Sequence, residues 1–127
     1  MLPVTTTPAH YVAQGFEQTG YASWYGKKFQ GKPTASGKPF DMYRMTAASS
    51  TLPLFSRVKV TNLQNGKSDV VLIIDREPPH AVRIIDLSYV AARGIGIVER
   101  GEAKIRVTVL STPLRRIDRR YYSADSE

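Results

Sequence analysis

A few ionisable residues in this sequence stand where proton transfer could be done. Asp75 closes the apolar run Val70-Val71-Leu72-Ile73-Ile74. An acid at the end of such a strand is partly stripped of water, which favours a held proton that can be donated. Asp41 follows Phe40, Glu77 stands just past Asp75, and His80 comes after Pro78-Pro79. Each has a plainer reading. Asp75 can pair with Arg76 or Arg83, or accept loop N–H groups, which stabilises the charged form instead. Asp41 can cap a turn through its own backbone. Glu77 and His80 could relocate acid and imidazole next to Asp75, or be ordinary solvated loop residues. His10 has no acidic partner at metal-ligand spacing, so no metal site is expected, and no cofactor signature is present. Cysteine is absent, which excludes a thiolate nucleophile, a disulfide framework and a lipid-attachment cysteine within this sequence.

Aromatic rings gather near the same residues. Trp24, Tyr25, Phe29, Phe40 and Tyr43 lie before and around the segment 27–39. Flat rings of this kind can pack on the CH-rich face of a sugar while polar neighbours donate to its hydroxyls. Trp24 and Phe40 read as core, whereas Tyr25 and Tyr43, whose hydroxyls prefer a wet side, are the candidates for ligand contact.

Short strands must position these groups. Residues 20–25 alternate with a period of two, as do 57–62 and 103–110, and 68–75 is a denser apolar run. Asn65-Gly66 separates two of these runs and predicts a type I′ hairpin turn, in which both central residues take positive φ. Gly26, Gly31, Pro33 and Gly37 make 27–39 an irregular loop, the kind of segment that carries sites on a rigid frame. Ser88 precedes Tyr89-Val90-Ala91-Ala92-Arg93, with Gly94 and Gly96 following, which reads as a short N-capped helix stopped by glycine. Many short strands and little helix imply a closed β-barrel. No internal repeat is visible.

Composition narrows the class. The chain has 127 residues, 42% apolar and 23% charged, enough for one core without staples. Its 18 basic residues exceed 11 acidic ones, for a formal charge of +7, which invites a polyanion. Part of the excess sits in Arg115, Arg116, Arg119 and Arg120, in a polar tail, and few aromatics are interleaved with the charges, so no nucleic-acid partner is expected. No apolar run is long enough for a transmembrane segment, and Met1 to Thr7 lack the form of a signal peptide. Any targeting segment is expected to have been removed or to lie outside this sequence.

One ordered series of short islands runs from Gly20 to Leu110: Gly-Tyr-Ala-Ser-Trp-Tyr-Gly (20–26), Pro-Thr-Ala-Ser-Gly (33–37), Phe-Asp-Met (40–42), Met-Thr-Ala-Ala (45–48) and Thr-Leu-Pro (51–53). It continues with Arg-Val-Lys-Val-Thr-Asn-Leu (57–63), Asp-Arg-Glu-Pro (75–78), Arg-Ile-Ile-Asp-Leu-Ser (83–88) and Arg-Val-Thr-Val-Leu (106–110). This order resembles the rare lipoprotein A (RlpA) family. The resemblance implies a mostly β fold, a six-stranded double-psi β-barrel with one or two short helices. It also implies lytic transglycosylase chemistry on peptidoglycan glycan strands freed of stem peptides, giving anhydro-muramyl products. The implied catalytic residues are Asp75, as acid and base, and Asp41 in support. Thr34, Ser36, Tyr25, Tyr43, Ser49 and Arg76 are the implied substrate contacts.

The resemblance also shows what is missing. Where the family carries a Glu and a His, this sequence has Lys38 and Ser49. A cation at position 38 favours the ionised form of Asp75, a poorer proton donor, and serine cannot titrate near neutral pH. Both positions are expected on an exposed loop. The reaction is therefore expected to be weakened or lost, with a non-catalytic glycan-binding or scaffold module as the alternative and a basic barrel bound to another polyanion behind it. Residues 1–19 read as a flexible lead-in or linker, 20–111 as the barrel and 112–127 as a basic tail. The family role further implies export to the bacterial periplasm or outer membrane, with division-site or envelope proteins as possible partners.

Overall fold

The computed structural model describes residues 13–113. Among the described residues the strands are β1 (Glu17–Trp24), β2 (Thr46–Ser49), β3 (Arg57–Asn62), β4 (Ser68–Arg76), β5 (Arg83–Leu87) and β6 (Ala103–Ser111), with a 3₁₀ turn at Lys27–Phe29 and a short helix, α1 (Tyr89–Gly94). The strands close into a barrel in the order β1-β5-β2-β4-β3-β6. Two neighbouring pairs run parallel, β1 with β5 and β2 with β4, and the others antiparallel. This is the closed barrel that the strand pattern implied, with the six strands that the family resemblance implied. β1 begins at Glu17, inside the stretch read as lead-in, because Glu17 to Thr19 pair with Thr108 to Arg106 of β6. His10 and the arginines of the basic tail lie outside the described residues.

Period-two alternation fills the core. Val58 and Val60 of β3, Val71 and Ile73 of β4, and Val107 and Val109 of β6 are all no more than 2% exposed. Burying a side chain of this size stabilises the fold by roughly 1.5–3 kcal/mol. β2 is different: Thr46, Ala47, Ala48 and Ser49 are all buried, small enough to pass between β4 and β5. The Ser88 hydroxyl caps α1 by accepting from Ala91 N at 3.3 Å.

The β3–β4 connection is wider than a two-residue turn. Gly66 has a φ of +78°, but Asn65 is not among the residues with positive φ. The chain reverses through bonds from Gly66 N to Asn62 O and from Asn62 N to Lys67 O, both 2.8 Å. Asn65 instead spends its side chain on the turn and its surroundings, accepting from Lys67 N at 2.8 Å and donating to Ile95 O at 3.1 Å. The predicted type I′ geometry is thus replaced by a longer turn docked on the segment after α1.

One irregularity sets the direction of Asp75. Along the β2–β4 pair, Ala47 faces Ile73 but Ala48 faces Asp75, so Ile74 is an extra residue in β4. Strict alternation after Val71 and Ile73 would aim Asp75 into the core. The bulge breaks that phase and turns Asp75 away from it.

Candidate active site

Asp75 is held by contacts in which its carboxylate accepts. Oδ1 takes the N–H of Ala35 and of Arg76, both at 2.9 Å, and Oδ2 takes the Tyr25 hydroxyl at 3.1 Å. Three of roughly four lone-pair positions are thereby occupied. Of the alternatives open from sequence, loop amide donors hold Asp75, and Arg83 pairs elsewhere. The loop that reaches Asp75 is itself braced. An isolated bridge joins Pro33 to Pro39, and Ser36 N donates to Ile74 O, the bulged residue, at 3.0 Å. The Thr34 hydroxyl donates to Lys38 O and lies 2.9 Å from the Ser36 hydroxyl, which accepts from Lys38 N at 3.2 Å. Thr34 and Ser36 therefore shape the loop through their hydroxyls.

Tyr25, a candidate for ligand contact, is half-buried and engaged on several sides. Its ring stacks on Phe40 with centroids 4.6 Å apart and meets the edge of Phe29, and Phe40 is 3% exposed. Burial, then the charge of Asp75 and the bond to it, push the Tyr25 hydroxyl far above its ordinary value. It stays a neutral donor. Tyr43, by contrast, is 67% exposed, with its ring edge-on to Tyr89.

Beyond Asp75 the structure gathers more carboxyls than sequence reading assigned. The Glu77 side chain is 8% exposed, and its Oε1 lies 3.7 Å from Arg83 Nε, an ion-pair distance too long for a hydrogen bond. Oε2 is buried without a partner. Burial, followed by the charge of Asp86, raises the Glu77 carboxyl to about 7, against the pull of Arg83. Asp86 faces Ser23 across β1–β5 and accepts its hydroxyl bond at 2.8 Å. Burial raises Asp86 as well, with Ser23 and Arg83 opposing. Asp86 was missed in the sequence, although an acid inside the apolar run Ile84-Ile85-Asp86-Leu87 was a visible signal. His80 turns inward on its own loop, its Nδ1 accepting from Val82 N and Arg83 N at 3.2 and 3.1 Å.

Ser49 requires correction. Expected on an exposed loop, it is the last residue of β2 and 1% exposed. Its hydroxyl accepts from Thr51 N and Leu52 N at 3.2 and 3.0 Å, and its carbonyl accepts from Arg76 Nη1 at 2.7 Å. The side chain is committed to the turn after β2, and Arg76 ties the end of β4 to that turn. Asp41 is the turn cap of the plainer reading. The Tyr43 N–H at 3.0 Å, then the Gln30 side chain, hold its carboxyl below the usual range, with Arg44 at 3.6 Å adding to this. Among the described residues no hydrogen bond or ion pair joins Asp41 to Asp75. Asp41 instead lines a separate cleft of about 620 Å³ together with Lys38, Tyr43, Arg44, Met45, Thr46, Arg57 and Leu72.

Comparison with known proteins settles the family. Residues 17–107 match the family described as "Lytic transglycolase". The endolytic peptidoglycan transglycosylase RlpA of Vibrio cholerae is 57% identical over 98 residues, covering 77% of this chain and 37% of the relative. The chain belongs to the RlpA family of double-psi β-barrels. The RlpA of Pseudomonas aeruginosa is 52% identical over 95 residues, 75% of this chain and 28% of the relative. That of Neisseria meningitidis is 50% identical over 101 residues, 80% and 42%. The chain thus spans less than half the length of these RlpA relatives. Among solved structures, the Streptomyces papain inhibitor superposes with a TM-score of 0.66 at 24% identity, covering 79% of this chain and 99% of the other. A Clavibacter michiganensis expansin gives 0.61 at 24%, covering 76% and 51%. These two share the barrel with RlpA-like chains. No helix among the described residues is long and apolar enough to cross a membrane.

Proposed function

We propose that this RlpA-like domain acts on peptidoglycan glycan strands in the bacterial envelope, and that the lytic transglycosylase reaction named for its relatives runs in it at a reduced rate. The observation that supports this reading is the placement of Asp75. A bulge turns it out of the core, and the braced 33–39 loop fixes it.

In that reaction one carboxyl acts twice. Asp75 gives its proton to the glycosidic oxygen as the C1–O bond breaks. It then takes a proton from the sugar's own 6-hydroxyl, whose oxygen bonds to C1, closing the anhydro ring and regenerating the acid. Tyr25 remains a neutral donor and orients the carboxylate. The reduced rate follows from the rest of the set. Lys38 places a cation on the same loop, and Ser49 is buried with its hydroxyl committed. Glu77 holds a proton near neutral pH but is largely enclosed.

A second reading, glycan binding without cleavage, is favoured by the bonds that already load Asp75 with donors. Incubation with stem-peptide-free strands and mass spectrometry for anhydro-sugars separates the two. Slow release by the parent is expected, and it is lost in Asp75→Asn. Ser49→His is unsuited to this test, because a larger ring at a buried position overpacks β2. Release unaffected by Asp75→Asn would remove Asp75 from the mechanism. Retention on the strands with no release from any variant would leave the binding module standing.

A further inference from the structure

The cleft lined by Lys38 and Tyr43 lies on the outer wall of the barrel. Thr46 of β2, Leu72 of β4 and Arg57 of β3 form one rank across three adjacent strands. Leu72 alternates with the inward-facing Val71 and Ile73, so its side chain meets the cleft from the wall. The rim comes from Lys38 at the end of the braced loop and from Tyr43 and Arg44 in the following turn.

Its charge is one-sided. Lys38, Arg44 and Arg57 face one acid, Asp41, and that acid is already engaged by Arg44, Gln30 and the Tyr43 N–H. Among the described residues neither Lys38 nor Arg57 forms an ion pair. Thr46 Oγ1 is buried in the same wall with no protein hydrogen-bond partner, the kind of group that a bound ligand or its water satisfies. Tyr43 adds an exposed ring, and Met45 and Leu72 an apolar surface. Cations, a sugar-sized apolar wall and an open aromatic ring together fit a sugar that carries a carboxylate.

We propose that this cleft is a subsite for a carboxylate-bearing sugar of the glycan strand, with Lys38, Arg44 and Arg57 reading the carboxylate and Tyr43 packing on the ring. This rests on the reading of the domain as glycan-engaging. Lys38 then has a positive role: the position that resembles a lost catalytic Glu has become part of an anion reader. The lactyl group left free when the stem peptide is removed presents this chemistry, whereas the acids of the stem peptide are carried on peptide and not on the ring.

Retention is measured on intact sacculi, on strands stripped of stem peptides, on both after conversion of their carboxylates to carboxamides, and on neutral N-acetylglucosamine oligomers. The parent protein is compared with the Lys38→Gln/Arg57→Gln double variant, whose fold is checked by its melting temperature. Charge-assisted contacts of this kind predict that the parent holds the untreated glycan at least about tenfold more tightly than the amidated form. The double variant loses that difference. Preference for untreated stripped strands supports the subsite, and preference for untreated intact sacculi alone, which points to acids of the stem peptide, overturns it. Equal retention of untreated and amidated strands overturns the subsite while leaving the glycan reading intact. A preference that persists in the folded double variant overturns its assignment to this cleft. Failure of the parent to hold any of the strands overturns both.

Discussion

Just past Asp75 and Arg76, this chain encloses Glu77 beside Arg83, with the charges of Asp86 and Asp75 acting on it. Its carboxyl, ordinarily near 4.5, is raised to about 7, first by burial and then by Asp86. The folded state thus binds this proton more tightly than the unfolded chain does. The stabilising contribution is fully present below about pH 4.5 and is lost as pH rises through about 7. Glu77→Gln removes the ionisation, so its melting temperature relative to the parent should rise between pH 5 and pH 8. A difference that stays constant across that range would show that Glu77 does not titrate in the fold. The sequence made the position of Asp75 legible because an acid closing an apolar run is conspicuous. It hid the enclosure of Glu77, since an acid flanked by arginine and two prolines reads as solvated loop. Ser49 misled for a related reason: nothing in Ala-Ala-Ser-Ser tells a buried strand end from an exposed loop.

Elements were legible in proportion to their regularity. β3 and β6 alternate cleanly, and the helix announced itself through Ser88. β2 and β5 were not delimited, because four small residues buried together carry no period and β5 is a run of apolar residues broken by one acid. The bulge at Ile74 had no sequence signal at all, being a matter of how β4 pairs rather than of what it contains. The parallel β1–β5 pair depends on a further feature of this kind, the close approach at Gly20. A Cβ there would stand 2.8 Å from Ile84 Cγ2 and 3.0 Å from the Val82 carbonyl oxygen. Tyr21 N also donates to that carbonyl, at 2.8 Å. Gly20→Ala must therefore push Ile84 and the entry to β5 aside, at a cost of about 1–3 kcal/mol. Urea unfolding should show a lower midpoint with an unchanged slope. An unchanged midpoint would mean that the entry to β5 yields freely.

Across the whole molecule, the 33–39 loop touches two settings of opposite charge, Asp75 through Ala35 and the basic cleft through Lys38. Asp75, Glu77 and Asp86 gather around Tyr25, and Lys38, Arg44 and Arg57 line the cleft. Family and barrel were readable because islands spread over six strands keep their order even where single residues change. The division of charge was not, since it depends on strands that are distant in the chain becoming neighbours. Barrel closure has a mechanical consequence. The first and last strands are antiparallel neighbours, with Glu17 opposite Thr108, so the two ends of the described chain leave from the same end of that seam. Tension applied between them would open the β1–β6 ladder like a zipper, rung after rung, instead of loading all its hydrogen bonds at once. Single-molecule pulling through residues 13 and 113 should accordingly rupture the barrel at much lower force than pulling through residues 13 and 103, which loads the same seam in shear. Equal rupture forces along the two directions would place the weak seam elsewhere.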